Sequence, residues 1–280
     1  MSIKIIEQSE DGLFLKVLIE NFPKEFVNAL RRIILSEVPT MAIEDVWIVK
    51  NSTPLYDEII AHRLGLIPLE TDIESYVLPE ECQCGGRGCP MCQVSLSLDK
   101  QLDTLSTKPE EGDGLIVYST DLVSEDEKIK PAVKVPIVKL LPGQSLVLEA
   151  RAQLGRGMDH AKWQPVGTCT FKYMPEINLR SDLCELCREC VELCPRNILE
   201  FVSEPFQSIA INDIENCTMC KVCEEVCEFG AINISWHDDI FIFTIESTGA
   251  LKATEILTKA IEILKKKGET LIDKLNEVLQ

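Results

Sequence analysis

Eight of the thirteen cysteines in this chain of 280 residues fall into two copies of one spacing. Each copy reads C-x2-C-x2-C-x3-C, which is typical of proteins that bind two iron–sulfur clusters. The first copy contains Cys184, Cys187, Cys190 and Cys194, and the second contains Cys217, Cys220, Cys223 and Cys227. Three thiolates on one short loop can bind three corners of an Fe4S4 cube. The fourth thiolate lies too far along the chain for its own cube and binds the other one.

This crossed arrangement predicts two ligand sets for two 4Fe-4S clusters. They are Cys184, Cys187 and Cys190 with Cys227, and Cys217, Cys220 and Cys223 with Cys194. Disulfide bonds are the alternative, but a ligand spacing that occurs twice favours metal binding. The copies differ in one respect, because Pro195 follows Cys194 whereas Glu228 follows Cys227. This departure leaves open a 3Fe-4S cluster at one of the sites.

A second group of cysteines has a different spacing, C-x-C-x4-C-x2-C. It consists of Cys82, Cys84, Cys89 and Cys92, with Gly85, Gly86 and Gly88 between them. Four thiolates on one glycine-rich loop suit a tetrahedral Zn2+ ion with no open position for catalysis. Two disulfides or a partly filled site are the alternatives. We therefore expect a structural zinc site at residues 82–92.

The remaining composition limits the function classes. The net charge of −18 argues against a self-sufficient nucleic-acid surface. No apolar run approaches the roughly 20 residues that span a bilayer, and no signal peptide is recognisable. Many thiols without a secretion signal indicate a reducing compartment, so we expect a cytoplasmic protein. Cys169 and the three histidines, His62, His160 and His237, have no apparent catalytic partners, so they are predicted to be structural.

Apolar patterning predicts the elements at both ends of the chain. Alternation predicts two strands within residues 2–20, joined by a turn at residues 9–12. Pro23 begins a helix that Pro39 ends. A second helix, about 50 Å long if unbroken, is predicted for residues 248–280. Its apolar stripe includes Ile256, Leu257, Ile261 and Leu264. We expect this stripe to be exposed and to pack against a partner helix. The alternative is a core helix that lies on this chain's own sheet.

Two segments carry a resemblance to a known family. The first, FVNALRRIILSEVP at residues 26–39, resembles the first helix of the assembly domain of the RNA polymerase α subunit. The second, NSTPLYDEIIAHRLGLIPL at residues 51–69, is similar to the segment that follows in the archaeal D subunit and in the third-largest subunit of eukaryotic RNA polymerase II. The resemblance extends over nearly the whole chain.

The resemblance implies an α+β fold of three parts. An α-subunit-like dimerisation domain, residues 1–41 with 237–280, is interrupted by a mostly β insert domain and by a ferredoxin-like domain. The insert domain covers residues 42–174. Its zinc-like loop lies where the eukaryotic relative has a zinc loop. The ferredoxin-like domain covers residues 175–236 and lies where many archaeal D subunits carry such an insert.

The resemblance also implies a function. The chain would be a non-catalytic assembly scaffold of archaeal DNA-dependent RNA polymerase, with Arg31 and Arg32 in assembly contacts. It would pair with subunit L and receive subunits N and P and the second-largest subunit. It would have no active site of its own and no direct contact with nucleic acid or a membrane. The alternative is a ferredoxin-type electron carrier or an oxidoreductase subunit, which leaves both α-like segments unexplained.

Overall fold

A computed structural model of the chain describes residues 2–103, 114–204 and 207–279. The chain divides into two compact units. The first unit comprises Met1–Glu7, Lys16–Asn28 and Thr170–Thr244. The second unit comprises Gln8–Leu15, Ala29–Cys169 and Ile245–Gln280. Each unit is discontinuous in sequence, so segments that are distant along the chain build both of them.

The described residues form an α+β fold. The α-helices are α1 (Lys24–Ser36), α2 (Asp57–Gly65), α3 (Glu189–Glu192), α4 (Val222–Glu225) and α5 (Ala253–Leu279). The strands are β1 (Ser2–Gln8), β2 (Phe14–Glu20), β3 (Pro39–Asn51), β4 (Gln93–Gln101), β5 (Leu115–Tyr118), β6 (Val123–Ser124), β7 (Pro136–Leu140), β8 (Ser145–Arg156), β9 (Val166–Leu179), β10 (Leu199–Val202), β11 (Ser208–Ile211) and β12 (Ile232–Ser247).

Hydrogen bonding joins the described strands into four sheets. Their strand orders are β1-β2-β12-β9, β3-β8-β4-β6, β5-β7 and β10-β11. In the second sheet, β8 is the central strand and pairs antiparallel with both β3 and β4. Two register shifts interrupt the β3–β8 ladder, between Ile43 and Asp45 and between Ile48 and Lys50. Such bulges bend and twist a long strand, which lets β3 follow the sheet over thirteen residues.

The core of the second unit lies beneath this sheet. Alternating residues of β8 are fully buried, among them Leu148, Ala150 and Ala152. Helix α2 contributes Ile60 and Leu64, which belong to the same apolar cluster and are fully buried. A charged residue between them, Arg63, donates a hydrogen bond of 2.7 Å to the carbonyl of Ile137 in β7. This helix therefore packs by its apolar residues and is fixed to a neighbouring strand by a cation.

The predicted elements at the chain's ends are confirmed with small shifts in their bounds. The two predicted strands are β1 and β2, and the predicted helix after Pro23 is α1. The amides of Phe26 and Val27 donate to the Pro23 carbonyl, so the helix begins where proline has no amide to satisfy. The final helix is unbroken and begins at Ala253. At about 1.5 Å per residue it is roughly 40 Å long.

One strand is longer than the sequence pattern indicates. The pattern predicts a short strand at Ile232 and Ile234 and a separate strand over residues 238–245. Both lie in the single sixteen-residue strand β12. Four consecutive exposed residues, Trp236 to Asp239, interrupt the apolar alternation without ending the strand. Pairing with neighbouring strands maintains extended backbone where local apolar patterning is lost.

An aromatic cluster packs between β9 and β12 in the first unit. The ring of Phe171 lies edge-on to Phe241 at 5.8 Å and parallel to Phe243 at 6.5 Å. Tyr173 lies 5.1 Å from Phe241 and 6.2 Å from Trp236. Contacts of this kind add about 0.5–1.5 kcal/mol per pair to the burial of the rings. They hold together the two strands that lead into and out of the cysteine-rich segment.

We expect Gly155→Ala to destabilise the second unit. A Cβ atom at position 155 would lie 2.3 Å from two ring atoms of Trp163, which is itself nearly buried. The Trp163 carbonyl accepts a hydrogen bond of 2.8 Å from Thr40, so the residue is tethered and cannot move aside freely. Overpacking of this kind costs about 1–3 kcal/mol, to be measured by urea unfolding.

Gly167→Ala is the matched control, because a Cβ atom there meets nothing within 4 Å. It should unfold at the wild-type urea concentration or slightly above. Equal stability of the two variants would contradict the packing of Trp163 on Gly155.

Candidate metal centres and helix surfaces

The four thiols of the residue 82–92 loop converge immediately before β4. Their sulfur atoms all lie within 4.8 Å of one another. The Sγ–Sγ distances are 3.5 Å from Cys82 to Cys89, 3.6 Å from Cys84 to Cys92 and 3.8 Å from Cys89 to Cys92. A disulfide needs about 2.05 Å, and each of these residues is a free thiol. The cysteine cluster could therefore bind a metal ion.

Three glycines allow the backbone to adopt this tight loop. Gly85, Gly86 and Gly88 all have positive φ, at 66°, 75° and 88°. A side chain at Gly88 would in addition lie 2.2 Å from the Gln93 side chain. The amide of Cys89 donates to the sulfur of Cys92 at 3.4 Å. Such amide donors stabilise thiolates, which are the form that binds metal.

The donor set and its dimensions fit a zinc ion. Sulfurs arranged tetrahedrally about 2.3 Å from zinc are roughly 3.8 Å apart, close to the distances in the loop. Hydrogen bonding from Cys82 lowers the pKa of Cys84 to about 6. Burial raises the pKa of Cys92 to about 12. The four thiols therefore do not all ionise readily by themselves, and binding of a divalent cation would release the remaining protons.

The eight repeated cysteines surround two separate cavities in the first unit. The first cavity, site A, is lined by Cys184, Cys187, Cys190 and Cys227. The second cavity, site B, is lined by Cys194, Cys217, Cys220 and Cys223. Each cavity thus receives three cysteines from one copy and the last cysteine of the other. This grouping is the one that the crossed spacing predicts, while binding of a cluster at either site stays a prediction.

The electrostatics of the buried thiols reflect the same grouping. Burial raises the pKa of Cys190, and the nearby thiols of Cys187, Cys184 and Cys227 raise it further. In site B, burial raises the pKa of Cys223 to about 11, with contributions from Cys194 and Cys217. Mutual repulsion of this kind disfavours several bare thiolates in one apolar cavity. A group carrying positive iron would relieve it, so the donor set fits an iron–sulfur cluster.

The two copies also share an unusual backbone. The residues on either side of the second cysteine have positive φ in both copies. They are Leu186 and Arg188 around Cys187, and Met219 and Lys221 around Cys220. For residues with side chains this conformation is uncommon and costly. The copies are therefore repeats in three dimensions as well as in sequence.

Matching hydrogen bonds close each copy. The amide of Ile198 donates to the sulfur of Cys194 at 3.4 Å, and the amide of Ala231 donates to the sulfur of Cys227 at 3.3 Å. In site B, the amide of Met219 donates to Cys217 as well. Amide donors to cysteine sulfur favour the thiolate and tune the reduction potential of a bound cluster.

Sequence patterns gave no signal for the cations that approach site B. Lys172 of β9 donates a hydrogen bond of 2.7 Å to the carbonyl of Cys217. Burial lowers the pKa of Lys172, and repulsion from Lys16 and Arg196 contributes to the decrease. Lys16 and Lys172 are far from the cysteines in the chain, so only the fold brings them to the site, whereas Arg196 follows Cys194 by two residues.

The other candidate residues have structural surroundings. Cys169 is buried in β9, and burial raises its pKa to about 12. The ring nitrogen Nδ1 of His160 accepts a bond of 3.0 Å from the amide of Lys162 and so caps a short turn. Neither residue has a geometry that suggests chemistry.

Helix α5 is covered by the chain only near its beginning. Ala253, Ile256 and Ala260 are buried, so Ile256 does not belong to the exposed stripe that the sequence predicts. The apolar residues beyond Gly268 are exposed, and they are Leu271, Ile272, Leu275, Val278 and Leu279. Of the other residues predicted for the stripe, Ile261 is exposed, whereas Leu257 and Leu264 are half-buried because the first turns of the helix pack in the chain's own core. Among the described residues, no helix has the length and apolar character needed to cross a membrane.

Helix α1 is also strongly amphipathic. Val27, Leu30 and Ile34 are buried, and Arg32 is exposed on the opposite side. Arg31 is half-buried, and its positive charge partly offsets the increase in the pKa of Cys169 that burial causes. The role of the arginine pair in assembly stays a prediction.

A family model and several curated relatives that match this chain all belong to RNA polymerase subunits. The RNA polymerase Rpb3/Rpb11 dimerisation domain matches residues 16–267. A relative from Methanosphaera stadtmanae, DNA-directed RNA polymerase subunit Rpo3, is 42% identical over 281 residues, covering 99% of each chain. The Rpo3 subunit of Methanosarcina acetivorans is 42% identical over 280 residues, again with 99% of both chains covered. That of Archaeoglobus fulgidus is 39% identical over 277 residues, covering 99% of this chain and 98% of its own.

We expect the residue 82–92 loop to bind about one zinc ion per chain. Cys84→Ser removes one of the four sulfur ligands and should lose most of this zinc, as measured by elemental analysis after dialysis against a chelator. Met91→Ser is the control, because Met91 lies in the same loop and is exposed. It should retain the metal. Zinc that persists in Cys84→Ser, or disulfides in protein prepared anaerobically, would contradict the assignment.

Proposed function

This chain belongs to the RNA polymerase Rpb3/Rpb11 dimerisation domain family, and from this we propose that it acts by holding other polymerase subunits together. It is a non-catalytic assembly subunit of an archaeal DNA-directed RNA polymerase. The relatives match from end to end, so the family assignment does not rest on a shared fragment. An electron carrier built on the same cysteines is not favoured, since it gives no role to the dimerisation domain.

The observation that carries this proposal is the exposed apolar end of α5. Five large aliphatic side chains of this segment are at least half exposed, from 52% at Leu275 to 83% at Leu279. Burying one such side chain fully stabilises a structure by about 1.5–3 kcal/mol. A row of them along two turns of helix is typical of a surface that packs against another helix.

We assign the partner surface to a small homologous subunit. The chain is proposed to be the D subunit of the polymerase and to form a 1:1 heterodimer with subunit L through α1 and α5. Subunits N and P and the second-largest subunit then bind the heterodimer. The chain contributes no catalytic residue and contacts neither nucleic acid nor a membrane. Arg31 and Arg32 take part in these assembly contacts.

We assign the metal centres to structural roles within the subunit. The proposed domain division is a dimerisation domain of residues 1–41 and 237–280, an insert domain of residues 42–174 and a ferredoxin-like insert of residues 175–236. The insert domain holds Zn2+ at its cysteine loop. The ferredoxin-like insert holds two 4Fe-4S clusters at sites A and B. Thiolate centres of these kinds persist in a reducing compartment, so the proposed location is the cytoplasm.

We expect Leu275→Asp to weaken pairing with subunit L. The change places a carboxylate in an apolar interface, which costs about 3 kcal/mol or more and raises the Kd by roughly 100-fold. Co-purification and sedimentation of the co-expressed subunits measure the effect. Wild-type chain made alone should self-associate, and subunit L should convert it into a 1:1 complex.

Thr270→Asp is the matched control for this variant. Thr270 is exposed, and helical geometry places it on the opposite side of α5 from Leu275. It adds the same charge and should leave pairing intact. A wild-type chain that remains a stable monomer without a partner would contradict the scaffold function.

We expect Cys194→Ser to damage site B and not site A. The anaerobic wild-type protein should contain about eight irons per chain, and the variant about four. Thiol alkylation followed by mass spectrometry identifies the affected site. Cys217, Cys220 and Cys223 should become reactive while Cys184, Cys187 and Cys190 stay protected.

Cys227→Ser provides the reciprocal control and should expose the thiols of site A. If each substitution instead exposed the cysteines of its own copy, ligation would not be crossed.

A further inference from the structure

The side chains around the two cysteine sites differ in charge. Among the described residues that line site A, Glu185 and Glu189 are acidic and none is a lysine or arginine. Among those that line site B, Arg196 and Lys221 are basic and none is acidic. The sites therefore have similar ligand sets in opposite electrostatic surroundings.

This difference arises at equivalent positions of the repeat. Glu185 follows the first cysteine of its copy, where the second copy has Thr218. Arg196 follows the last cysteine by two residues, where the second copy has Phe229. Because the last cysteines cross over, Arg196 lines site B and Phe229 lines site A. At these two pairs of positions, the first copy thus places a negative charge at site A and a positive charge at site B, where the second copy has uncharged residues.

Strand β9 adds a further cation to site B. The Nζ atom of Lys172 lies 2.7 Å from the carbonyl oxygen of Cys217. Lys16 and Arg196 line the adjoining cavity together with Lys172, and Glu215 is the one acidic residue among its described lining residues. Lys16 is bonded to the amide oxygen of Asn216 at 2.9 Å and not to a carboxylate. Three cations therefore face one carboxylate beside site B.

Other charges near the sites do not reverse the difference. Lys221 is paired with Glu224 at 3.3 Å, which partly balances its charge, and Arg196 and Lys172 remain as further positive charges at site B. Near site A, Arg180 donates to the carbonyl of Gly230 at 3.1 Å but does not line the cavity. Arg188 stacks on the Phe201 ring.

We propose that these side chains make the two clusters electrochemically inequivalent, so that site B is reduced before site A. This inference rests on the two 4Fe-4S clusters of the proposed function. One-electron reduction takes a cluster from the 2+ to the 1+ state, with the electron supplied by an external one-electron donor and with no bond made or broken. The added negative charge is stabilised by Arg196 and Lys172 at site B and opposed by Glu185 and Glu189 at site A.

The test is a redox titration with dithionite, monitored by EPR, of the full chain purified anaerobically with its partner subunits. Two variants exchange residues between equivalent repeat positions, Arg196→Phe and Glu185→Thr. Both positions are exposed, so the fold should tolerate the changes. At a fixed potential, Arg196→Phe should lower the reduced-to-oxidised ratio of the first-reduced cluster by roughly tenfold and leave the other unchanged. Glu185→Thr should raise that ratio for the second-reduced cluster alone.

Three results would overturn the inference. A single midpoint for both clusters, equal shifts of both clusters in either variant, or an effect of Arg196→Phe on the later-reduced cluster would each do so. Iron analysis separates this failure from that of the two-cluster proposal. With about eight irons per chain, such results contradict only the inequivalence. With about four or none, the two-cluster proposal fails and the inference fails with it.

Discussion

The pairing of β9 with β12 is the constraint on which the arrangement of the cysteine sites depends. These strands are hydrogen-bonded neighbours in one sheet, and the repeated cysteines lie between them in the chain. The amide of Arg180 donates to the carbonyl of Ala231 at 2.7 Å and extends the contact beyond the end of β9. Aromatic packing of Phe171 and Tyr173 against Phe241 reinforces it. A segment whose two ends are held together in this way can bring a cysteine from each repeat to the other's cavity.

Several of the repeated cysteines are part of a buried apolar cluster in the first unit. The buried cluster of this region includes Cys190, Cys217 and Cys223 beside a small set of isoleucine and leucine residues. Thiols that are protonated pack as small apolar groups, but several thiolates in one cavity repel one another. Under the proposed assignment, bound clusters supply both the charge balance and the cohesion that a short segment lacks. The same reasoning applies on a smaller scale to the loop of residues 82–92.

The assembly function depends on a different physical feature, an apolar helix that its own chain covers only in part. The first turns of α5 are anchored by Ala253, Ile256 and Ala260. Within the second unit, Lys267 is hydrogen-bonded to Glu37 at the end of α1. Beyond this point the apolar residues are exposed. An element that is fixed at one end and uncovered at the other presents a defined surface, since its direction is set before a partner binds.

Local patterns in the sequence determined the existence and type of several elements. Alternation identified β1 and β2, and helical spacing identified α1 and α5, because these periods reflect which face of an element is apolar. Cysteine spacing indicated which three cysteines of each copy line one cavity, since that spacing is a local property, whereas the exchange of the last cysteines between the cavities depends on the fold around them. The glycines of the loop at residues 82–92 likewise indicated a tight turn, because glycine adopts positive φ without a steric penalty.

The tertiary structure alone decided what depends on residues distant in the chain. Whether β12 continued through Trp236 was decided by its pairing with neighbouring strands and not by its own pattern. Which apolar residues of α5 are covered, with Ile256 inside and Leu271 outside, was decided by the core on which the helix begins. The approach of Lys172 to Cys217 joins two positions with no shared motif. Periodicity records how each element divides into two faces, but the neighbour that meets each face is fixed only when the chain folds.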